Sequence, residues 1–141
     1  MSSRPCFNAE TAERPEWKRN QLGEKVLGCA LKVHKALGPG LLENAYESCL
    51  AIELQKSGLE LKRQLTLPVV YDGAKVDLGY RLDLLVEGMI VVEVKAIERL
   101  AEIHRAQVLS YLKLGGYRLG YLLNFNVKMM RNGIYRIANG L

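Results

Sequence analysis

The chain has 141 residues, of which 49% are hydrophobic and 25% are charged. These values fit one globular domain with a real core, and no apolar run approaches the length needed to span a membrane. No hydrophobic stretch follows the polar N-terminus, so no signal peptide is predicted and a cytoplasmic location is expected. The three cysteines lack metal-ligand spacing, and disulfides are not expected.

The formal net charge of +5 is unevenly distributed along the chain. Residues 103–141 contain six basic residues and no acid, which leaves −1 for residues 1–102. A basic segment beside a more acidic one suits a protein that attracts a polyanion such as nucleic acid. It also suits solubility alone.

The N-terminal half predicts a tail followed by two helices. Residues 1–19 are polar and aperiodic, which predicts a flexible tail, and residues 20–141 are predicted to form one domain. Asn20 can cap a first helix, which ends where Gly38-Pro39-Gly40 breaks the chain. A second helix is predicted from Leu41 to about Ser57.

Glu43 lies in the first turn of the second predicted helix. The helix dipole favours an acid there, which would explain Glu43 without any function. Alternatively, the Gly-Pro-Gly break aims this turn at the sheet, so that Glu43 presents a carboxylate to it. The residues leave both explanations open.

The middle of the chain predicts a three-strand antiparallel meander. Asp72-Gly73 is a hairpin signal between two alternating runs. The predicted pairs of this first hairpin are Tyr71 with Ala74, Val69 with Val76, Leu67 with Leu78 and Leu65 with Tyr80. Continuing the alternation places Leu82, Leu84 and Val86 on one apolar face.

The second hairpin, Tyr80 to Ala96, allows its register to be argued from burial. A three-residue loop at 87–89 pairs Val86 with Ile90, Leu84 with Val92, Leu82 with Val94, Leu85 with Val91, Asp83 with Glu93 and Arg81 with Lys95. A two-residue loop would place charges on both faces, which burial disfavours. The three-residue loop is therefore predicted.

This register places the carboxylates of Asp83 and Glu93 opposite each other. At about 5 Å they repel by roughly 3 kcal/mol at an effective dielectric of about 20, so a cation is expected beside them. Lys95 is one candidate and a divalent ion of the magnesium type is another. A surface ion-pair cluster with Arg81 and Lys95, without chemistry, is the alternative.

The last third of the chain completes an α/β (α+β) fold. A helix is predicted from about His104 to Leu114, with Gln107 and Tyr111 on one face. Tyr117 to Phe125 is continuously apolar, which predicts a strand buried on both faces, and Ile134 to Ala138 predicts a short edge strand. The order predicts a mixed central sheet, containing the meander, flanked by helices.

The arrangement of Glu43, Asp83 and Glu93-Val94-Lys95 resembles that of the PD-(D/E)XK nuclease superfamily, with its restriction-endonuclease-like core. The segment Gly40-Leu41-Leu42-Glu43-Asn44-Ala45-Tyr46 is similar to the signature of the GxxExxY proteins, a group within that superfamily. Gln107-x-x-x-Tyr111 is similar to a helix motif of its exonuclease-type members. Leu82 replaces the proline of the superfamily name, at a position without chemistry.

The resemblance implies a nuclease that hydrolyses phosphodiester bonds, with DNA the expected substrate and RNA left open. It implies that Mg²⁺ or Mn²⁺ is bound by Asp83, Glu93, the Val94 carbonyl and Glu43, with Lys95 completing the catalytic set. Substrate would be bound by Gln107, Tyr111 and Arg105. A homodimer is compatible with this interpretation, although no residue indicates one.

The sequence leaves two alternatives to catalysis open. One is a nuclease-like module that binds nucleic acid or a protein without cleaving. The other is a structural subunit whose acids are neutralised by Arg81, Lys95 and Arg105.

Overall fold

The structure is a computed structural model that describes residues 16–141. The predicted tail, residues 1–19, lies outside this range except for its last four residues, which are helical. In the described range there are three α-helices and seven strands: α1 (Glu16–Leu37), α2 (Glu43–Lys56), β1 (Leu61–Thr66), β2 (Val69–Tyr71), β3 (Ala74–Val76), β4 (Arg81–Val86), β5 (Ile90–Lys95), α3 (Glu102–Gly115), β6 (Leu119–Asn124) and β7 (Ile134–Ala138), with a 3₁₀ turn at Met130–Gly133.

Five strands form one mixed sheet in the order β1-β4-β5-β6-β7. Strands β1, β4 and β5 are an antiparallel meander, β6 runs parallel to β5 after the α3 crossover, and β7 pairs antiparallel at the edge. Every residue of β6 is buried, as its continuous apolar sequence predicts. The predicted mixed α/β class, of the restriction-endonuclease-like type, is confirmed.

Helices cover both faces of the sheet. On one face, α1 and α2 pack on β4, β5 and β6 in a cluster that we call the α1–α2 core: Val26, Val33, Tyr46, Leu50, Leu54, Leu84, Val86, Val92 and Leu123, among others. On the other face, α3 packs in the α3 core: Leu67, Leu82, Leu85, Val91, Val108, Leu112 and Leu122. Within the described residues no helix is both long and apolar enough to cross a bilayer.

The predicted register of the second hairpin is confirmed where its ladder is regular. Val86 faces Ile90, Leu85 faces Val91 and Leu84 faces Val92. The three-residue loop is made possible by left-handed backbone at Glu87 (φ 53°) and Gly88 (φ 65°). Counted away from the loop, Leu84–Val92 is the last regular pair, and Asp83 and Glu93 are the next residues on the two strands.

The first hairpin differs from its prediction beyond its tip. The pairs Tyr71–Ala74 and Val69–Val76 are confirmed, but β2 and β3 form a separate two-stranded sheet. Leu65 faces Leu82, not Tyr80. Pro68 explains the break, because it has no N–H to donate to a continuous strand.

The prediction that Leu82 shares a face with Leu84 is also wrong. Leu82 packs in the α3 core, whereas Leu84 packs in the α1–α2 core. The switch occurs at Asp83, opposite Gln64, whose φ of +51° interrupts β1. A left-handed residue in a strand breaks the alternation of side chains, so β1 changes faces at Gln64. The different cores of Leu82 and Leu84 show that β4 changes faces opposite it.

Tyr46 holds the Gly-Pro-Gly break against the sheet. Its hydroxyl donates to the Gly38 carbonyl at 2.5 Å and accepts from the Leu41 N–H at 3.1 Å. Its ring stacks on Phe125, with centroids 4.7 Å apart. Gly40 adopts φ +105°, a conformation that favours glycine. The entry of α2 is thereby fixed relative to the sheet.

We expect Tyr46→Phe to lower the free energy of unfolding by about 1–3 kcal/mol, because it keeps the stacked ring but leaves the Gly38 and Leu41 backbone groups without their partner. Urea denaturation would measure the change. Tyr71→Phe, at a residue that is 76% exposed, is the matched control and should change stability by less than about 0.5 kcal/mol. Equal effects of the two substitutions would contradict this role of the Tyr46 hydroxyl.

Candidate active site

Asp83 and Glu93 lie side by side where the β4–β5 ladder ends. The Asp83 N–H donates to Glu93 Oε1 at 3.1 Å, and the Val94 N–H donates to Asp83 Oδ2 at 2.9 Å. Each carboxylate therefore accepts a backbone N–H from the opposite strand, in the place that a carbonyl takes in a regular ladder. The two acids therefore lie at the position where the regular backbone pairing of the two strands ends.

Burial and mutual repulsion make the ionised pair unfavourable. Glu93 is only 6% exposed. Burial, followed by the charge of Asp83, raises the pKa of Glu93 from 4.5 to about 8. Burial is also the main cause that raises the pKa of Asp83, and its hydrogen bond from Val94 opposes the increase.

Lys95 is the nearest predicted cation, and it does not neutralise the pair. Its charge lowers the pKa of both carboxyl groups, but burial outweighs this effect. In the part of the chain that the structure describes, no ion pair joins Asp83 or Glu93 to a basic side chain. The ion-pair cluster with Arg81 and Lys95, considered as an alternative, is not formed.

Glu47 is a site residue that the sequence analysis missed. Its carboxylate is 5% exposed and forms a salt bridge with Arg63 at 3.1 Å. It also accepts hydrogen bonds from the Gln64 amide at 3.0 and 3.2 Å. Its charge contributes to the raised pKa of both Asp83 and Glu93. A signal was present: Glu47 is one turn from Ala51 and two from Leu54, so it lies on the buried stripe of α2.

Glu43, one turn before Glu47, lies over the end of β5. Its Oε2 accepts the Ala96 N–H at 3.4 Å, and the residue is exposed. The first turn of α2 therefore presents a carboxylate to the sheet, at the edge of the site rather than between Asp83 and Glu93.

Two of the residues predicted on α3, Gln107 and Tyr111, lie together. The pKa of Tyr111 is raised by burial first and then by the charges of Glu93, Tyr80 and Asp83, so the residue lies within electrostatic range of the acidic pair. Gln107, one turn earlier, is exposed and lines a cavity of about 310 Å³ that Tyr80 and Tyr111 also line.

Arg105 is not brought to the acidic pair. Its guanidinium lies 4.5 Å from the centre of the Tyr135 ring, on strand β7. Arg105 precedes Gln107 by two residues, and such residues do not share a helix face. The structure therefore places this predicted substrate ligand against the edge strand.

The donor set fits a hard divalent cation held by few protein ligands. Among residues 16–141, no three His, Cys, Asp or Glu side chains form a group that could hold a metal ion. Mg²⁺ is often bound by only one or two protein carboxylates, because the ion keeps several waters and takes further oxygen ligands from substrate phosphates. The two adjacent carboxylates match that number. A cation between them would also offset the charge of Asp83, which contributes to the raised pKa of Glu93.

A mixed sheet flanked by helices, with an acidic pair on its central hairpin, defines a restriction-endonuclease-like domain. A family model described as the PD-(D/E)XK nuclease superfamily matches residues 20–137. The chain therefore belongs to that superfamily. Among curated proteins and among solved structures, none matches it significantly.

We expect Glu93→Gln to stabilise the metal-free protein at pH 8. A carboxyl whose pKa rises from 4.5 to about 8 on folding makes the native state bind more protons, so wild-type stability falls as pH rises between these values. Glutamine removes that loss while keeping an oxygen for the Asp83 N–H. Each kcal/mol regained raises Tm by roughly 2–6 °C for a chain of this size.

Thermal melts in EDTA at pH 5 and pH 8 would measure this effect. Glu98→Gln, at an exposed acid outside the site, is the control and should follow the wild type. Parallel pH profiles of wild type and Glu93→Gln would show that repulsion within the pair does not limit stability.

Proposed function

We propose that this protein is a metal-dependent nuclease that hydrolyses phosphodiester bonds in nucleic acid, with DNA as the first candidate substrate. The observation that supports it most is the pair Asp83 and Glu93. Their ionised forms are costly in the folded protein, and no basic side chain of residues 16–141 forms an ion pair with either. Binding of a divalent cation would explain why these two acids lie together.

In this proposal Asp83 and Glu93, with the Val94 carbonyl, hold Mg²⁺ or Mn²⁺. Glu43 completes the set directly or through a water, since its carboxylate lies at the end of the same strand. When bound, such a cation supplies Lewis acidity toward the scissile phosphate.

The remaining side chains act on the substrate. Lys95, half-exposed and two residues beyond Glu93, orients the attacking water and stabilises negative charge that develops on the phosphate. Tyr111, within electrostatic range of the acidic pair, and Gln107 hold the adjacent phosphate. Basic residues of the segment 103–141 supply backbone contacts of low base specificity.

Membership in the GxxExxY group is part of the same proposal. Gly40, Glu43 and Tyr46 each have a distinct position here: a left-handed backbone, a carboxylate at the end of β5, and a hydroxyl that fixes the loop. A signature made of these three types would preserve the placement of α2 over the sheet.

A binding module without catalysis is the second candidate. It is favoured by the finding that no group of three potential metal-ligating side chains occurs among residues 16–141, and by the engagement of Glu47 by Arg63 and Gln64. Such a module would bind nucleic acid or a protein partner independently of metal.

We expect Asp83→Asn to abolish both Mn²⁺ binding and cleavage, because the amide keeps the acceptor for Val94 but loses the charge. Isothermal titration with Mn²⁺, alongside cleavage assays on single-stranded, duplex and branched DNA, would measure both. Asp77→Asn is the matched control, since Asp77 accepts the Gly79 N–H in the exposed β3–β4 connection. Metal-independent nucleic acid binding by wild type and Asp83→Asn alike, without cleavage, would support the second candidate instead.

Lys95→Ala should retain Mn²⁺ binding and lose cleavage. Removing a cation beside the carboxylates does not weaken their attraction for metal, whereas losing a group that stabilises transition-state charge costs about 10²- to 10³-fold in rate. Single-turnover rates at saturating Mn²⁺ would test this, with Lys95→Arg expected to recover part of the rate. Full cleavage by Lys95→Ala would disprove the role given to the lysine.

A further inference from the structure

Gln64 has an unusual backbone for a residue inside a strand. Its φ is +51°, and the pair it would form with Asp83 is missing from an otherwise continuous β1–β4 register. Positive φ is costly for a side chain other than glycine, asparagine or aspartate. Residues held in such conformations cluster at active sites and ligand-binding sites.

The left-handed backbone turns two successive side chains toward the same helix. Neighbouring residues of a regular strand point to opposite faces. Here Arg63 and Gln64 both contact Glu47 on α2, the first through Nε and Nη2 and the second through Nε2. Without the switch at Gln64, only one of the two could reach it.

The chemistry of its neighbours fixes how the Gln64 amide is oriented. Glu47 and Asp83 accept hydrogen bonds when ionised and cannot donate them, so the NH₂ group faces both. It donates to Glu47 at 3.0 and 3.2 Å and to Asp83 Oδ1 at 3.4 Å. Asp83 is thus held from two sides, through Oδ2 by the Val94 N–H and through Oδ1 by Gln64.

From this geometry we infer that Gln64, anchored by Glu47, is a positioning residue that fixes the Asp83 carboxylate for cation binding. The inference rests on the proposed metal site at Asp83 and Glu93. Glu47, in turn, is held by Arg63, whose Nη2 also donates to Ser48 Oγ at 3.2 Å. The chain of contacts runs from α2 through β1 to the central hairpin.

A role in stability alone does not explain this arrangement. Gln64 is exposed, so its hydrogen bonds compete with water, while its backbone conformation is unfavourable whatever the side chain does. Residues that orient a metal ligand commonly affect metal affinity by about 10- to 100-fold. Stability and metal affinity should therefore respond differently to substitution at Gln64.

Two substitutions separate the amide from the backbone. Gln64→Met removes the amide but keeps a long side chain and the left-handed strain, whereas Gln64→Gly removes both. We expect each variant to bind Mn²⁺ about 10-fold more weakly than wild type by isothermal titration. In EDTA, Gln64→Gly should melt within about 2 °C of wild type or above it, and Gln64→Met should melt below Gln64→Gly.

Asp72→Gly is the matched control. Asp72 has nearly the same left-handed backbone, with φ of 49°, in the exposed β2–β3 turn. Its replacement introduces glycine at the same left-handed backbone conformation outside the site, so Mn²⁺ affinity should not change.

The outcomes distinguish this inference from the proposed function. Wild-type protein that binds no Mn²⁺ would overturn the metal site, and the inference with it. Wild-type protein that binds Mn²⁺, with Gln64→Gly and Gln64→Met binding equally tightly, would overturn the positioning role alone. Parallel losses of thermal stability and affinity in Gln64→Gly would show that the residue acts on the fold.

Discussion

The constraint on which the site depends is that two carboxylates occupy a position where strands normally exchange backbone hydrogen bonds. Asp83 and Glu93 each accept an N–H from the opposite strand, so they complete the hairpin even as their charges oppose each other. The strands must separate at this point, and the neighbouring strand β1 adapts with its own irregularity at Gln64. The side-chain alternation of β1 and β4 is therefore interrupted next to Asp83 and Glu93.

Helix α2 connects the irregular part of the sheet, around Gln64 and Asp83, to the rest of the molecule. Glu43, Tyr46 and Glu47 lie within four residues of one another, yet they contact the end of β5, the Gly-Pro-Gly loop and strand β1, respectively. Because Tyr46 stacks on Phe125, which follows β6, the helix is fixed against the centre of the sheet. One helix thus places Glu43 and Glu47 beside elements that are distant in sequence.

Alternation of side chains predicted much of this from the sequence. It gave the correct register from Val86–Ile90 to Leu84–Val92, because that part of the ladder is regular and buried. It failed from Asp83 toward the start of β4, because nothing in the sequence indicates that Gln64 has a positive φ. Pro68 did indicate the end of the first long strand. The predicted pairing failed there because the alternation was extended past this proline. The role of Arg105 in substrate binding stays a prediction, and the structure places its guanidinium against Tyr135 of β7.

The separations along the chain order the assembly of the site during folding. Asp83 and Glu93 are 10 residues apart, Glu47 and Gln64 are 17 apart, and Glu43 and Ala96 are 53 apart. Contacts between distant residues require the largest loss of chain entropy, so the short hairpin is the easiest part to close and the approach of α2 the hardest. The acids can therefore meet while still hydrated, and the surroundings that bury them are completed only when elements more distant in sequence pack around the hairpin. A partly folded chain consequently displays the two carboxylates without the buried surroundings that make their ionisation costly.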